Sequence, residues 1–297
     1  MKNLGETGLS DGVILASGSY DHTIRFWNTA DGKSIHVLQH QDSQVNALEI
    51  APDPSMIAAA GYQHIYLYDL NSKNSNPAMK FDQLERNVTA VGFHMDGNWM
   101  FTGGEDGTAR VWDLRSRQLQ CQRIFQVSTT VNCVCLHPNN TELFVGDASG
   151  MIHNWDLRND ANEQLLPMPN TSILHVDVDP DGTMLAAVNN RGYAFCQNPP
   201  PAAAAAQPAE AGGSMPMTKL VPKKKLEVHS QYALKCRFSP DSTLMATTSA
   251  DQTARIWKTA DFTEQTALQL DKCWVWDCAF TDDSQVAAFN PRSSERK

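Results

Sequence analysis

Short stretches in which apolar and polar residues alternate, each closed by a Pro, Asp or Gly turn, recur along the chain. VNALEIAPD (45–53), VTAVGFHMDG (88–97), VNCVCLHPN (131–139), ILHVDVDPDG (173–182), ALKCRFSPD (233–241) and VWDCAFTDD (275–283) share this grammar. A period of two puts alternate side chains on one face, which predicts half-buried strands, and many of them. A second repeat is interleaved with the first. SGSYDHTIRFWN (17–28), TGGEDGTARVWD (102–113) and TTSADQTARIWK (247–258) each place an Asp six residues before a Trp, a Thr four before and an Arg two before. Weaker copies end at Tyr68 and Trp155, and a degenerate one puts Gln197 in the Trp position. Successive copies then lie 41, 44, 43, 42 and 60 residues apart, which suits one four-stranded unit per repeat with an insertion in the last interval. The expected fold class is all-β, a propeller of four-stranded blades in which each small sheet buries both faces against its neighbours.

Residues 1–297 read as a single propeller. The first repeat opens at its second strand, VILASGS, because residues 1–12 hold no copy of the first-strand pattern. The last recognisable strands are WVWDCAF and SQVAAF, before the polar NPRSSERK. Five full blades, three strands at the start and two at the end make 25 of the 28 strands of a seven-bladed ring, so the seventh blade is expected to be incomplete. Residues 198–216, NPPPAAAAAQPAEAGGSMP, read as a low-complexity loop that takes up most of the long interval. TKLVPKKKLEVH resumes the blade as an outer strand, its lysines Lys223 to Lys225 read as charge guarding an edge rather than as a nuclear signal. Residues 289–297 read as a polar tail.

Composition narrows the function. Of 297 residues, 41% are hydrophobic and 19% charged, with mean hydropathy −0.39, the profile of a globular protein rather than a disordered one. A net charge of −9, with no basic cluster beyond Lys223 to Lys225, argues against nucleic acid or an anionic membrane as the main partner. Seven scattered cysteines form no C-x-x-C, so neither a zinc ribbon nor a disulfide framework is indicated, and a reducing, cytoplasmic setting fits. The longest early apolar run, Val13 to Ala16, is too short for a signal peptide or a membrane span. No metal cluster, activated nucleophile or carboxylate pair stands apart from the repeat grammar, so neither catalysis nor a cofactor is expected. Cys133 and Cys135 read as core residues, and Gly103, Gly104 and Gly107 as part of a hairpin rather than a phosphate loop.

The repeated motif resembles the WD repeat. In that family a His, a Ser or Thr, an Asp and a Trp form a hydrogen-bonded tetrad within a blade, and His229, Thr247, Asp251 and Trp257 match it. Ser17, Asp21 and Trp27 match in part, as do Thr102, Asp106 and Trp112. Their recurrence at strand positions favours a structural role over a hydrolase triad. Longer stretches, among them QHQDSQVNALEIAPDPSMIAAAGYQHIYLYDLNS (39–72), MFTGGEDGTARVWDLRSRQLQCQRIFQV (100–127) and RFSPDSTLMATTSADQT (237–253), resemble the G-protein-beta-subunit-like protein of the TOR kinase complexes. This similarity runs from about residue 11 to 286. The resemblance implies a non-catalytic scaffold that docks on a TOR-type kinase near its active site and supports TOR signalling in growth and nutrient control. The kinase and the other subunits of its complex are the implied partners.

A contact surface follows from aligning the first strands on Val45, Val88, Val131, Ile173, Ala233 and Val275. By strict alternation the residues on either side of each share the opposite face, at one mouth of the ring. Most are small or polar, but Tyr232, Trp274 and Trp276 are large aromatics of the kind interaction hot spots use. With Gln44 as the polar candidate, these are the expected partner-binding residues. A rival reading starts from WDLR, which occurs at 112–115 and 155–158. Paired motifs of this kind resemble those of substrate receptors for cullin-RING ubiquitin ligases, and in that reading Arg115 and Arg158 contact the adaptor.

Overall fold

The computed structural model describes residues 14–41, 43–72, 74–82, 84–115, 120–198, 220–284 and 287–293; nearly all of the expected 198–216 loop and the last residues of the expected tail lie outside the described residues. The chain divides into two compact units, residues 1–134 and 135–297.

In the first unit, a three-stranded sheet runs in the order β1 (Ile14–Gly18), β2 (Thr23–Asn28), β3 (Ser34–Gln39). Two four-stranded antiparallel meanders follow. One is β4 (Ala47–Ile50), β5 (Met56–Ala60), β6 (Ile65–Asp69) and β7 (Met79–Phe81); the other is β8 (Val88–Phe93), β9 (Trp99–Gly104), β10 (Thr108–Asp113) and β11 (Gln120–Gln126). The unit ends within β12 (Val131–Leu136). Alternation decides what packs where. Ile57 and Ala59 of β5 face Ile14, Ile24, Phe26 and Leu38 of the first sheet. Their neighbours Ala58 and Ala60 point the other way, into a core with Val88, Val91, Met100 and Trp112 of the third. The middle sheet therefore buries both faces, and MIAAA reads as a nearly unbroken apolar run for that reason.

The second unit continues with β13 (Glu142–Asp147), β14 (Ile152–Asp156) and β15 (Asn162–Leu165). The meander β16 (Ile173–Val178), β17 (Leu185–Asn189), β18 (Tyr193–Asn198), β19 (Val221–Glu227) comes next. It packs through Ala186, Val188, Ala194 and Cys196 onto Val228, Ala233, Cys236, Phe238 and Trp257, the side of the following sheet. That sheet is β20 (Ala233–Phe238), β21 (Leu244–Ser249), β22 (Thr253–Lys258), β23 (Glu264–Gln269), and a final pair follows, β24 (Cys273–Phe280) and β25 (Ala287–Ser293). The described residues are thus all-β, with six sheets of three or four strands and one of two. Among them no helix is long and apolar enough to cross a membrane. Lys223, Lys224 and Lys225 lie exposed on β19, where Lys225 Nζ sits 4.1 Å from the Tyr193 ring centroid and Lys224 donates to the Asp261 carbonyl.

Two features depart from the sequence expectation. The polar tail starts later than 289, because β25 runs to Ser293 and pairs Asn290 with Asp277 and Arg292 with Trp274. Backbone hydrogen bonds do not require apolar side chains, so the polar composition after Phe289 concealed the last residues of the strand expected at SQVAAF. Strict alternation also fails in the first strands. The register steps over Thr89, Leu174, Leu234 and Trp276, each just after the buried residue at the strand's entry. These are β-bulges, which re-aim a side chain and sharpen the local twist.

Candidate functional site

Thr247 on β21 is the hub of a four-residue hydrogen-bond chain. The Trp257 indole nitrogen donates to Thr247 Oγ1 at 3.0 Å, His229 Nε2 lies 2.9 Å from the same oxygen, and His229 Nδ1 lies 3.1 Å from Asp251 Oδ2. An indole only donates and a carboxylate only accepts, so the direction is set: Trp257 to Thr247, Thr247 to His229 Nε2, His229 Nδ1–H to Asp251. Burial opposes ionisation of Asp251, yet hydrogen bonds from His229 and Thr253 hold it well below the usual carboxylate range. His229, Thr247 and Trp257 are themselves buried. The chain ties the loop before β20 to the β21–β22 hairpin, and this is the work of a pin rather than of a catalytic triad. Gly192 lies against it: with φ at +79°, it sits where a Cβ would run into the His229 carbonyl.

Partial versions recur in the first unit. Trp27 donates to Ser17 at 2.8 Å, and Trp112 to Thr102 at 2.9 Å. Asp21 and Asp106 instead organise their own hairpins, each accepting from the Thr two residues on and the Arg four residues on. The second sheet holds a variant whose two histidines the repeat alignment missed. Tyr68 stands in the tryptophan place, His40 Nδ1 lies 3.0 Å from its hydroxyl, and His40 Nε2 lies 3.0 Å from His64 Nε2. His40 precedes Tyr68 by 28 residues, the spacing of His229 and Trp257, and that was the available signal.

Among the expected partner-binding residues, three aromatics belong to the second unit. Tyr232, just before β20, is 51% exposed and Trp276 is 37% exposed. Trp274 is half-buried, and its ring centroid lies 5.6 Å from that of Trp276. Trp276 owes its outward direction to the bulge in β24 rather than to simple alternation: Val275, Cys278 and Phe280 on either side are buried. Gln44 belongs to the first unit, where its amide donates to Asn87 Oδ1 at 3.4 Å. Asn46 Nδ2 donates to the same oxygen at 3.2 Å, and Asn87 Nδ2 donates to Glu105 at 3.0 Å. No local sequence signal joins these four residues, because they come from the entries to β4 and β8 and the end of β9.

The two arginines of the rival reading are engaged within their own repeats. Arg115 forks onto Asp113 with contacts of 3.0 and 2.6 Å, and Arg158 onto Asp156 at 3.1 and 2.9 Å. Hydrogen bonds from Arg115 hold the Asp113 carboxyl at about 2. Each fork staples a strand end to the turn that follows it. No group of three or more His, Cys, Asp or Glu among the described residues is arranged to hold a metal ion.

Comparison with known proteins adds to this geometry. The family described as WD domain, G-beta repeat, matches residues 8–28, 32–69, 79–113, 119–156 and 220–258. The chain is 56% identical over 275 residues to the Mus musculus protein named target of rapamycin complex subunit LST8, covering 90% of this chain and 81% of the relative. It is 43% identical over 268 residues to the LST8 homolog of Drosophila melanogaster, covering 90% and 82% of the two chains. Identity to the Schizosaccharomyces pombe target of rapamycin complex subunit wat1 is 41% over 249 residues, covering 84% and 75%.

Proposed function

The chain belongs to the LST8 family of WD-repeat proteins, and from that premise we propose that it is a non-catalytic scaffold subunit of a target of rapamycin complex. In this role it binds a TOR-type kinase and the complex's other subunits in the cytoplasm. The observation that carries the reading is its identity to relatives named as subunits of that complex in a mammal and a fission yeast. The His229–Thr247–Asp251–Trp257 chain and the two arginine forks support a role without catalysis, since each pins a hairpin or a strand end of its own sheet. The docking residues are Gln44 on the first unit and Tyr232, Trp274 and Trp276 on the second. The finer architecture we infer is a seven-bladed propeller with β24 and β25 standing for the seventh blade. The entry bulge that β24 shares with β8, β16 and β20 supports this.

Affinity purification of the tagged full chain from cells tests the reading. A TOR-type kinase recovered with it is the expected result. Recovery of a cullin-RING adaptor in its place, lost on Arg115→Ala and Arg158→Ala, would overturn it.

A further inference from the structure

The amide cluster around Asn87 has its polarity set by one carboxylate. Asn87 Nδ2 donates to Glu105 Oε2, and because a carboxylate only accepts, the Asn87 amide has a single orientation. Its Oδ1 therefore faces Gln44 and Asn46 and takes one N–H from each. Both outer amides turn a donor inward, which leaves Gln44 Oε1 and Asn46 Oδ1 as acceptors; no hydrogen bond from the described residues reaches either. Glu105 is exposed and brings a negative charge with further acceptor capacity. Tyr62 is 49% exposed on the hairpin that bridges to Asn87. Its backbone is fixed by a 2.7 Å hydrogen bond to Ser43 Oγ, next to Gln44.

Acceptors, one anion and a tyrosine ring suit a guanidinium, which is planar, always charged, rich in donors and able to lie on an aromatic face. An incoming carboxylate can take the second N–H of Gln44 or Asn46 but meets the like charge of Glu105. We propose that this patch seats an arginine side chain of the docked kinase, with Asn87 as the positioning residue that turns its acceptors outward. The proposal rests on the docking role given to Gln44 and adds the chemistry of what it receives.

Two measurements test it separately from that role. The first titrates the isotope-labelled full chain with N-acetyl-arginine amide and, in parallel, N-acetyl-glutamate amide, reading the side-chain NH2 resonances of Gln44, Asn46 and Asn87. The arginine compound is expected to shift them and the glutamate compound to leave them in place; equal responses, or none to arginine, overturn the proposal. The second compares binding of the parent, Glu105→Gln and Asn87→Leu chains to a purified TOR kinase domain. A loss of about tenfold is expected for each, the scale of one charge-assisted hydrogen bond. Unchanged affinity in both variants overturns the proposal. A parent chain that fails to bind the kinase overturns the docking role, and the amide titration then still decides the chemistry of the patch.

Discussion

His40 and His64 meet nitrogen to nitrogen inside the first unit, Nε2 to Nε2 at 3.0 Å. One ring must donate and the other accept, so two charged imidazoles cannot share the contact. Burial, with His64 and His22 nearby, pushes His40 down to about 4 from its ordinary 6.5. Between these values the unfolded chain binds the proton and the folded chain does not. The ring's contribution is therefore fully present above pH 6.5 and is lost as pH falls through 4. The loss approaches about 3 kcal/mol at the acid end. Urea unfolding of the parent should weaken from pH 6.5 to 5, and His40→Gln should flatten that slope. A parent with level stability across the window would show that the pair carries no such penalty.

Thr247 offers a cleaner test of the four-residue chain than its tryptophan does. Thr247→Val keeps the shape but leaves the Trp257 N–H without its acceptor and His229 Nε2 without its donor, both in a buried setting. Unsatisfied buried polar groups cost about 1–3 kcal/mol each, so a destabilisation of about 2–4 kcal/mol is expected in urea unfolding. A change below about 0.5 kcal/mol, within the range of ordinary surface substitutions, would remove Thr247 from the role of hub.

Much of this was legible because the repeats are local. His229, Thr247, Asp251 and Trp257 lie within one sheet and its entry loop, and the resemblance of the repeat to the WD repeat brought them together. Pattern failed where geometry depends on a bulge or on two sheets. Alternation pointed to Trp276, but its outward aim comes from an inserted residue that no periodicity reveals. Asn87 reads as a small polar residue before a strand, and its control over Gln44 emerges only when two sheets are packed side by side. The strand expected at SQVAAF runs on to Ser293, and its last residues were hidden because backbone pairing does not depend on side-chain polarity.

Gly192 carries a sharper expectation than the other turn glycines. Its φ of +79° already disfavours an L side chain, and an added Cβ would run into the His229 and Gln231 carbonyls. The Gly192 carbonyl also accepts from the Val228 and His229 amides. Gly192→Ala should therefore lower the unfolding midpoint, by a free-energy cost of about 1–3 kcal/mol from backbone strain. Gly32→Ala is the control, since it shares a positive φ but has open space around it. Equal effects in the two would assign the cost to φ alone.

Protection against hydrogen exchange should be least, within the second unit, in β25. Among the described residues it pairs with β24 alone, and a two-stranded sheet is marginal unless packing holds it. β24 has that support, for Cys278 and Phe280 pack with Ala246 of the preceding sheet. Amides of Val275 to Phe280 should accordingly outlast those of Ala287 to Ser293. Equal protection in the two strands would mean that β25 has a second neighbour.

The tryptophan pair is the strongest candidate for a binding anchor because the two rings differ in burial while touching. Trp276 is the more exposed ring, carried outward by the bulge, and Trp274 lies beside it at 5.6 Å and is half-buried. A Trp side chain buries about 150–250 Å² when covered, enough for several kcal/mol before binding costs are deducted. Truncating a hot spot costs about 2 kcal/mol or more, close to thirtyfold in affinity. Trp276→Ala should therefore weaken binding to a TOR-type kinase by about that factor. Trp274→Ala should weaken it too, by withdrawing the ring that supports Trp276, and the double variant should fall short of the sum because the two act as one surface. Leu268→Ala, an exposed apolar residue on β23, serves as the control and should leave affinity unchanged. Urea unfolding on the same samples separates lost contact from lost fold. Trp variants that unfold like the parent and bind the kinase as tightly would show that docking lies elsewhere.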